Sequence, residues 1–292
     1  MMVTPPAPDS ALIPAVGATP APAGSNADWT IPQDWESYSQ EEHATWDRLV
    51  ARQKEVLKDR AASAFHRGLE SLRLSHAGIP NFERLSERLS ALTGWRVVAV
   101  PGLVPDEIFF RHMAQRCFVA GRFIRRPDQL DYLQEPDVFH DVFGHVPLLS
   151  DPEFADYMQA YGMGGLKALG LGALKYLARL YWYTVEFGLI REDGALKIYG
   201  AGLLSSFGES QFALRDPSPN RIAFCLERVM RTNYRIDDYQ KSYFVIESFE
   251  DLRRRTADCD FAPLYQRLAD MATLEPQTVL PSDRLLPLSR EQ

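Results

Sequence analysis

Two histidines, His140 and His145, stand in the segment Pro136-Asp137-Val138-Phe139-His140-Asp141-Val142-Phe143-Gly144-His145-Val146-Pro147, and a lone acid, Glu186, follows inside the apolar run 181–190. Two imidazoles and one carboxylate are the ligand set of non-haem ferrous oxygenases, which leave one face of the metal open. The spacing is not the HExxH arrangement of zinc proteases. On an ideal helix, positions five apart differ by about 140° and do not share a face. The sequence therefore predicts a helix that opens at Pro136, a favoured first helical position, and loosens near Gly144 to swing the second imidazole back. Glu186 is more telling, because an ionised carboxylate between Val185 and Phe187 is costly unless paired or metal-bound. The plainer alternatives are satisfied core or cap histidines and a glutamate paired with an arginine. The other histidines, His43, His66, His76 and His112, lie in ordinary helical stretches and read as structural or surface residues.

The elements that must position these residues are legible in outline. Ser39 and Glu42 form a capping box for a helix on which Trp46, Leu49, Val50, Val56 and Leu57 recur at helical spacing. Asn81 caps a second helix over 82–92, with Gly94 as its stop. Residues 95–100 read as a strand ended by Pro101-Gly102. Helices are expected after Pro105, after Pro136, after Ser150 with Glu153 as capping-box partner, and over 173–190. The last carries Leu174, Leu177, Ala178, Tyr181 and Val185 on a buried stripe. A turn at 191–194 leads to a short strand at 196–199, and further helices fit 203–214, 221–232 and 249–258. The glycines Gly162, Gly164, Gly165, Gly170 and Gly172 match neither GxGxxG nor a P-loop and read as a helix-to-helix loop.

The 292 residues are 46% hydrophobic and 24% charged, ordinary for a globular protein with a sizeable core. With 32 Lys and Arg against 39 Asp and Glu, the formal charge is −7, which gives no nucleic-acid surface. No stretch approaches the roughly 20 apolar residues of a membrane span, and the start lacks the pattern of a secretory signal. Cys117, Cys225 and Cys259 form no CxxC pair and read as small buried hydrophobes in a reducing compartment, so the cytoplasm is expected. Residues 1–27, rich in Pro and Ala, read as a disordered tail. One mainly α domain with a few short strands is expected over 28–275, followed by a C-terminal tail at 276–292.

At these motifs the chain resembles the catalytic domain of the pterin-dependent aromatic amino acid hydroxylases. The matching runs are Glu135-Pro136-Asp137, His140-x4-His145-Val146-Pro147, Tyr181-Trp182-Tyr183-Thr184-Val185-Glu186-Phe187-Gly188-Leu189 and Tyr199-Gly200-Ala201-Gly202-Leu203-Leu204-Ser205-Ser206-Phe207-Gly208-Glu209, with weaker likeness from about residue 29 to 270. The resemblance implies a mainly α, basket-like fold. It implies an iron(II) enzyme that uses molecular oxygen and tetrahydrobiopterin, or a related tetrahydropterin, to hydroxylate an aromatic ring. The length suits the family's compact bacterial members, and a monomer is expected. Trp182 and Ser206-Phe207-Gly208 resemble the phenylalanine branch, which makes L-phenylalanine the expected substrate, with tyrosine or tryptophan as alternatives.

By the same resemblance, His140, His145 and Glu186 hold the iron. Arg125 binds the substrate carboxylate with a guanidinium fork that Asp137 keeps in place. Pro136, Trp182 and Phe187 pack the substrate ring, and Ser205 and Tyr181 orient a ligand histidine or a water. Gly102-Leu103-Val104 resembles the pterin loop, with Phe109 stacking on the pterin. Asp141 stands where animal members carry Glu, and its shorter side chain leaves room for a bridging water. Two readings from other classes use the same residues: a zinc hydrolase, indifferent to oxygen and pterin, and a non-enzymatic sensor of an aromatic amino acid or pterin. The intact triad with Arg125 and Trp182 argues against the sensor.

Overall fold

The computed structural model describes residues 20–131, 135–257 and 259–288. Most of the N-terminal segment expected to be a tail lies outside the described residues, and burial begins at Trp29. Helix α1, Gln40–Leu57, starts at the expected capping box, with Ser39 N donating to Glu42 Oε2 at 2.7 Å and Glu42 N to Ser39 Oγ at 3.2 Å. It buries Trp46, Leu49, Val50, Val56 and Leu57. Helix α2, Ser63–Ser71, precedes α3, Phe82–Thr93, which Asn81 caps and Gly94 ends in the left-handed region at φ 76°. Strand β1, Arg96–Val100, then crosses through α4, Asp106–Ala114, to pair in parallel with β2, Cys117–Gly121.

A π-helix, Phe139–His145, and a 3-10 turn, Val146–Ser150, lead into α5, Pro152–Gly170. Helix α6, Leu174–Tyr181, widens into a second π-helix, Trp182–Glu186. Strand β3, Leu189–Glu192, turns through Asp193 and Gly194, both at positive φ, into β4, Ala195–Ile198. Next come α7, Ala201–Ser205, α8, Glu209–Arg215, β5, Asn220–Ala223, α9, Leu226–Met230, β6, Ser242–Ile246, α10, Phe249–Thr256 and α11, Ala262–Ala269. The second sheet has the order β4-β3-β6-β5, with only the β3–β4 pair antiparallel. The fold is thus mainly helical with short strands, as expected. No helix of the described residues is long and apolar enough to cross a membrane.

Several expected elements differ, each for a tertiary reason. Residues 221–232 form β5 and α9 instead of one helix, because the first part pairs with β6 (Phe224 N to Val245 O, 2.8 Å). Residues 203–214 break at Ser206, which is extended between α7 and α8. Strands β2 and β6 went unanticipated because they are buried along their whole length and show no alternation. The cap of α5 is Asp151, whose carboxylate accepts from Glu153 N and Phe154 N, while Glu153 itself pairs with Arg253 at 2.5 Å. Cys225 and Cys259 are exposed, and only Cys117 is buried. The segment read as a C-terminal tail is docked at least as far as Leu286. Leu286 N donates to Arg221 O at 2.8 Å, and Asp283 pairs with Arg228 at 3.0 Å, both side chains 4% exposed. An unpaired charge there would be costly, so this segment is part of the folded unit.

Four of the five glycines, Gly162 to Gly170, are helical and end with α5, and only Gly172, at φ 63°, lies in the expected helix-to-helix turn. Gly162 and Gly165 face α4, where an added Cβ would come within 2.5 Å of Ala114 N and 2.1 Å of the Phe110 ring. Small residues therefore let α4 and α5 approach closely beside the site. Gly164 faces open space. Alanine in a helix interior gains about 0.5–1 kcal/mol over glycine, whereas forcing a methyl into packed atoms costs typically about 1–3 kcal/mol. Chemical denaturation should find Gly164→Ala more stable than the parent and Gly165→Ala less stable. Equal effects at the two sites would contradict this packing.

Candidate metal centre

The five-residue spacing is resolved by the backbone itself. Phe139–His145 is a π-helix, whose wider turn, closed by i→i+5 bonds, brings positions five apart towards one face. The segment does not open at Pro136: Val138 N donates across to Phe123 O at 2.8 Å, and the Asp137 carboxylate receives the His140 N–H at 3.0 Å. Nor does Gly144 loosen the helix. It lets α7 approach, since a Cβ there would lie 2.9 Å from Ala201 O. The opposite face is anchored in the core, where Phe139 stacks on Phe143 at 4.7 Å and each meets a further ring, Trp46 and Phe65, at 5.5 Å.

Glu186 ends the second π-helix instead of lying within a continuous helix. Its neighbourhood is packed through glycines: a Cβ at Gly200 would sit 2.4 Å from Glu186 O, and one at Gly188 2.2 Å from the Tyr199 ring. The result is convergence. His145 Nε2 lies 3.2 Å and His140 Nε2 3.6 Å from the Glu186 carboxylate, and the two Nε2 atoms are 3.3 Å apart. Among the described residues this is the one cluster of at least three such side chains able to hold a metal.

The protonation pattern suits a cation. Ser205 Oγ donates to Ala201 O at 2.8 Å, so its contact with His140 Nδ1 at 2.9 Å is an N–H donated by the imidazole. That leaves the His140 Nε2 lone pair facing the cluster. Burial pushes the His140 imidazole down to about 4, against the pull of Glu186, so it is neutral at pH 7. Burial alone would raise the Glu186 carboxyl, but His145 and His140 outweigh it and hold it below its usual range. A divalent cation placed here would meet the His140 Nε2 lone pair and the Glu186 carboxylate at once, with His145 Nε2 3.2 Å from that carboxylate. The residues present therefore fit a bound metal, and the set of two histidines and one carboxylate matches iron(II).

Arg125 and Asp137 are joined to this centre. Asp137 is fully buried, and its Oδ2 accepts from Arg125 N at 2.9 Å and Nε at 2.8 Å. Its Oδ1 accepts from Arg125 Nη2 at 2.8 Å as well as from His140 N. Burial opposes ionisation of Asp137, but the guanidinium outweighs it and holds the carboxyl low. Asp137 takes the Nε and Nη2 edge, leaving Nη1 for an anion. Trp182 and Phe187, on and just after the second π-helix, are half-buried and pack together at 4.8 Å. Pro136, partly exposed, directly precedes Asp137.

The residues expected at a pterin are Phe109, Val104 and Asp141. Phe109 is partly exposed and meets Tyr181 edge-on at 5.9 Å, and Tyr181 in turn lies over His145 at 6.3 Å. A flat heterocycle could thus stack on Phe109 beside the metal. Val104 lies on the loop before α4, partly exposed. The Asp141 carboxylate is turned to Gly121 N at 2.7 Å, and burial pushes it up to about 7. Sequence reasoning missed Tyr234 and Gln240, which back Trp182 (4.3 Å between stacked rings, and 2.9 Å from indole Nε1 to Gln240 Oε1). They stand far downstream in a polar stretch with no periodicity to mark them.

The sequence matches the family described as biopterin-dependent aromatic amino acid hydroxylase over residues 30–268. It is 60% identical over 265 residues to the phenylalanine-4-hydroxylase of Caulobacter vibrioides, covering 91% of this chain and 90% of that one. Identity to the phenylalanine-4-hydroxylase of Ralstonia nicotianae is 58% over 259 residues, with 89% and 82% covered. The iron- and phenylalanine-bound crystal structure of phenylalanine hydroxylase from Chromobacterium violaceum matches the fold with a TM-score of 0.86 at 52% identity, covering 90% of this chain and 96% of that one. A match over this much of the chain, with the two histidines and the glutamate brought together, places the protein: it belongs to the biopterin-dependent aromatic amino acid hydroxylases.

Proposed function

We propose that the protein is a phenylalanine 4-monooxygenase, converting L-phenylalanine to L-tyrosine with molecular oxygen and a tetrahydropterin at iron(II). The observation that carries this is the convergence of His140, His145 and Glu186 beside an Arg125 fork and an aromatic wall. Phenylalanine, rather than tyrosine or tryptophan, is supported by the relatives of highest identity described above. All these residues come from one chain, so the site needs no partner subunit, and a monomer is the proposed working form. The exposed thiols of Cys225 and Cys259 suit a reducing compartment, the cytoplasm.

Iron(II) supplies open coordination positions for activating oxygen, and the reduced pterin supplies the electrons. The chain's own work is placement. His140, His145 and Glu186 would hold the metal, and Ser205 keeps the His140 proton on Nδ1. Arg125 receives the amino acid's carboxylate through its free Nη1, which sets the distance from that anchor to the ring. Trp182, Phe187 and Pro136 wall the ring and keep water from it, and Phe109 would offer its ring face to the pterin. A hydrophobic wall suits attack on an arene, where no protein base need take a proton first.

The direct test is to load the protein anaerobically with iron(II), then add reduced tetrahydropterin, air and each aromatic amino acid in turn. Tyrosine formed from phenylalanine, with iron required, is the expected result; full activity with zinc and no need for oxygen would establish a hydrolase instead. His140→Ala, His145→Ala and Glu186→Ala should each lose most of the iron. Ser205→Ala should weaken iron retention or turnover by roughly ten- to a hundredfold, the usual effect of losing a hydrogen bond to a ligand histidine, and parent-like iron titration and turnover would remove Ser205 from that role.

Arg125→Lys separates substrate binding from metal binding. A lysine ammonium can still pair with Asp137, so iron content should hold. The contact that the Asp137-fixed guanidinium offers the substrate carboxylate through Nη1 is lost, and one charge-assisted hydrogen bond contributes roughly 1.5–3 kcal/mol. Steady-state kinetics should show KM for phenylalanine raised by about ten- to a hundredfold, with pterin oxidation partly uncoupled from hydroxylation. An unchanged KM with unchanged coupling would exclude the carboxylate anchor.

A further inference from the structure

Trp182 forms one wall of the proposed site, and a single side chain fixes it in the ring plane. Its indole Nε1–H donates to Gln240 Oε1 at 2.9 Å. Gln240 is 3% exposed, and its amide can face only one way. Nε2 donates to Arg235 O at 3.0 Å and to Asp238 O at 3.4 Å. Turned over, the amide would set its NH2 against the indole N–H and its oxygen against two carbonyls. The Gln240 backbone N–H donates to Glu209 Oε1 at 2.8 Å, an oxygen that also accepts from the Tyr243 hydroxyl at 2.9 Å. The loop is seated on Gly208, where a Cβ would come within 2.0 Å of Tyr239 OH. On the indole's face Tyr234 stacks at 4.3 Å with a 15° interplanar angle. A hydrogen bond in the ring plane and a stacked ring on its face together remove the rotations by which the indole could swing.

We propose that Gln240 is a positioning residue: through the Trp182 N–H it fixes the wall against which the substrate ring packs, and thereby sets which aromatic ring the site accepts. This rests on the reading of Trp182 as part of the ring pocket. Without the bond the indole is free to tilt, the contact with a phenyl ring loosens, and the larger bicyclic ring of tryptophan gains access relative to phenylalanine. The hydrogen bonds of Gln240 go to Trp182, Glu209, Arg235 and Asp238 and to none of the metal-site residues or Arg125, so iron binding should be left intact.

The test is a double-mutant cycle. Gln240→Met keeps length and bulk but removes the acceptor, and Trp182→Phe removes the N–H. Gln240→Met should raise KM for phenylalanine roughly two- to tenfold, the effect of one neutral hydrogen bond, and lower the phenylalanine-over-tryptophan ratio of kcat/KM at normal iron content. In the Trp182→Phe background only the amide contacts to Arg235 O and Asp238 O remain to be lost, so the same change should have a clearly smaller effect on KM and on the ratio. Equal losses in both backgrounds would mean that Gln240 merely holds its loop, and would overturn the proposal, as would an unchanged KM and ratio. If the Met variant does not fold, Gln240→Asn, which withdraws the amide by one methylene, serves in its place. Zinc-loaded protein labelled with 15N-tryptophan gives a readout that needs no turnover. The indole resonance absent from Trp182→Phe should shift in Gln240→Met, and one that stays in place overturns the proposal. If it shifts while the iron-loaded parent fails to hydroxylate phenylalanine, the hydrogen bond stands and the activity reading falls.

Discussion

Asp137 carries a charge with no solvent around it, and such a carboxylate persists only if its lone pairs are met. They are met by four N–H groups: three from Arg125 and one from His140. In the proposed reading this carboxylate joins substrate binding to metal binding. It fixes the guanidinium fork on one side, and on the other it holds the backbone at the start of the π-helix that carries both histidines. The distance between an anion bound at Arg125 and a metal bound at His140 is therefore set by one rigid, buried group. Removing either partner would leave an uncompensated charge, so the arrangement is stiff as well as specific.

The remaining scaffold serves the same geometry. Two π-helices, each at the point where a ligand is needed, turn side chains inward that an ideal helix would point elsewhere. Glycines at positions 144, 188 and 200 let neighbouring backbone approach the ligand-bearing segments closely. Behind Trp182, Tyr234 and Gln240 hold the indole, as Ser205 holds the His140 imidazole. In each case the residue that would touch the metal or the substrate is locked by one that would not.

What could be read from the sequence was mostly local. The Ser39–Glu42 capping box and the Asn81 to Gly94 helix are decided within a few residues, and both appear as expected. The grouping of His140, His145 and Glu186 was legible because a carboxylate in an apolar run has few explanations other than pairing or a metal. The π-turns were not, since no local signal marks them, and the first is packed against α7 at Gly144 by a contact fifty-seven residues away in sequence. Strand β6 and the docked segment around Asp283 depend on pairings across long separations, and the seating of α5 on α4 through Gly165 depends on a ring fifty-five residues earlier. Gln240 lacks any local signature, because its role exists only once Trp182 has been placed.

The central claim is that Asp137 joins metal binding to substrate binding. Asp137→Asn tests it most directly, since it keeps the shape but removes the charge and replaces one acceptor oxygen by a donor. Iron titration and steady-state kinetics on the same preparation should show iron retention weakened and KM for phenylalanine raised together. Parent-like iron binding with a parent-like KM would contradict the account.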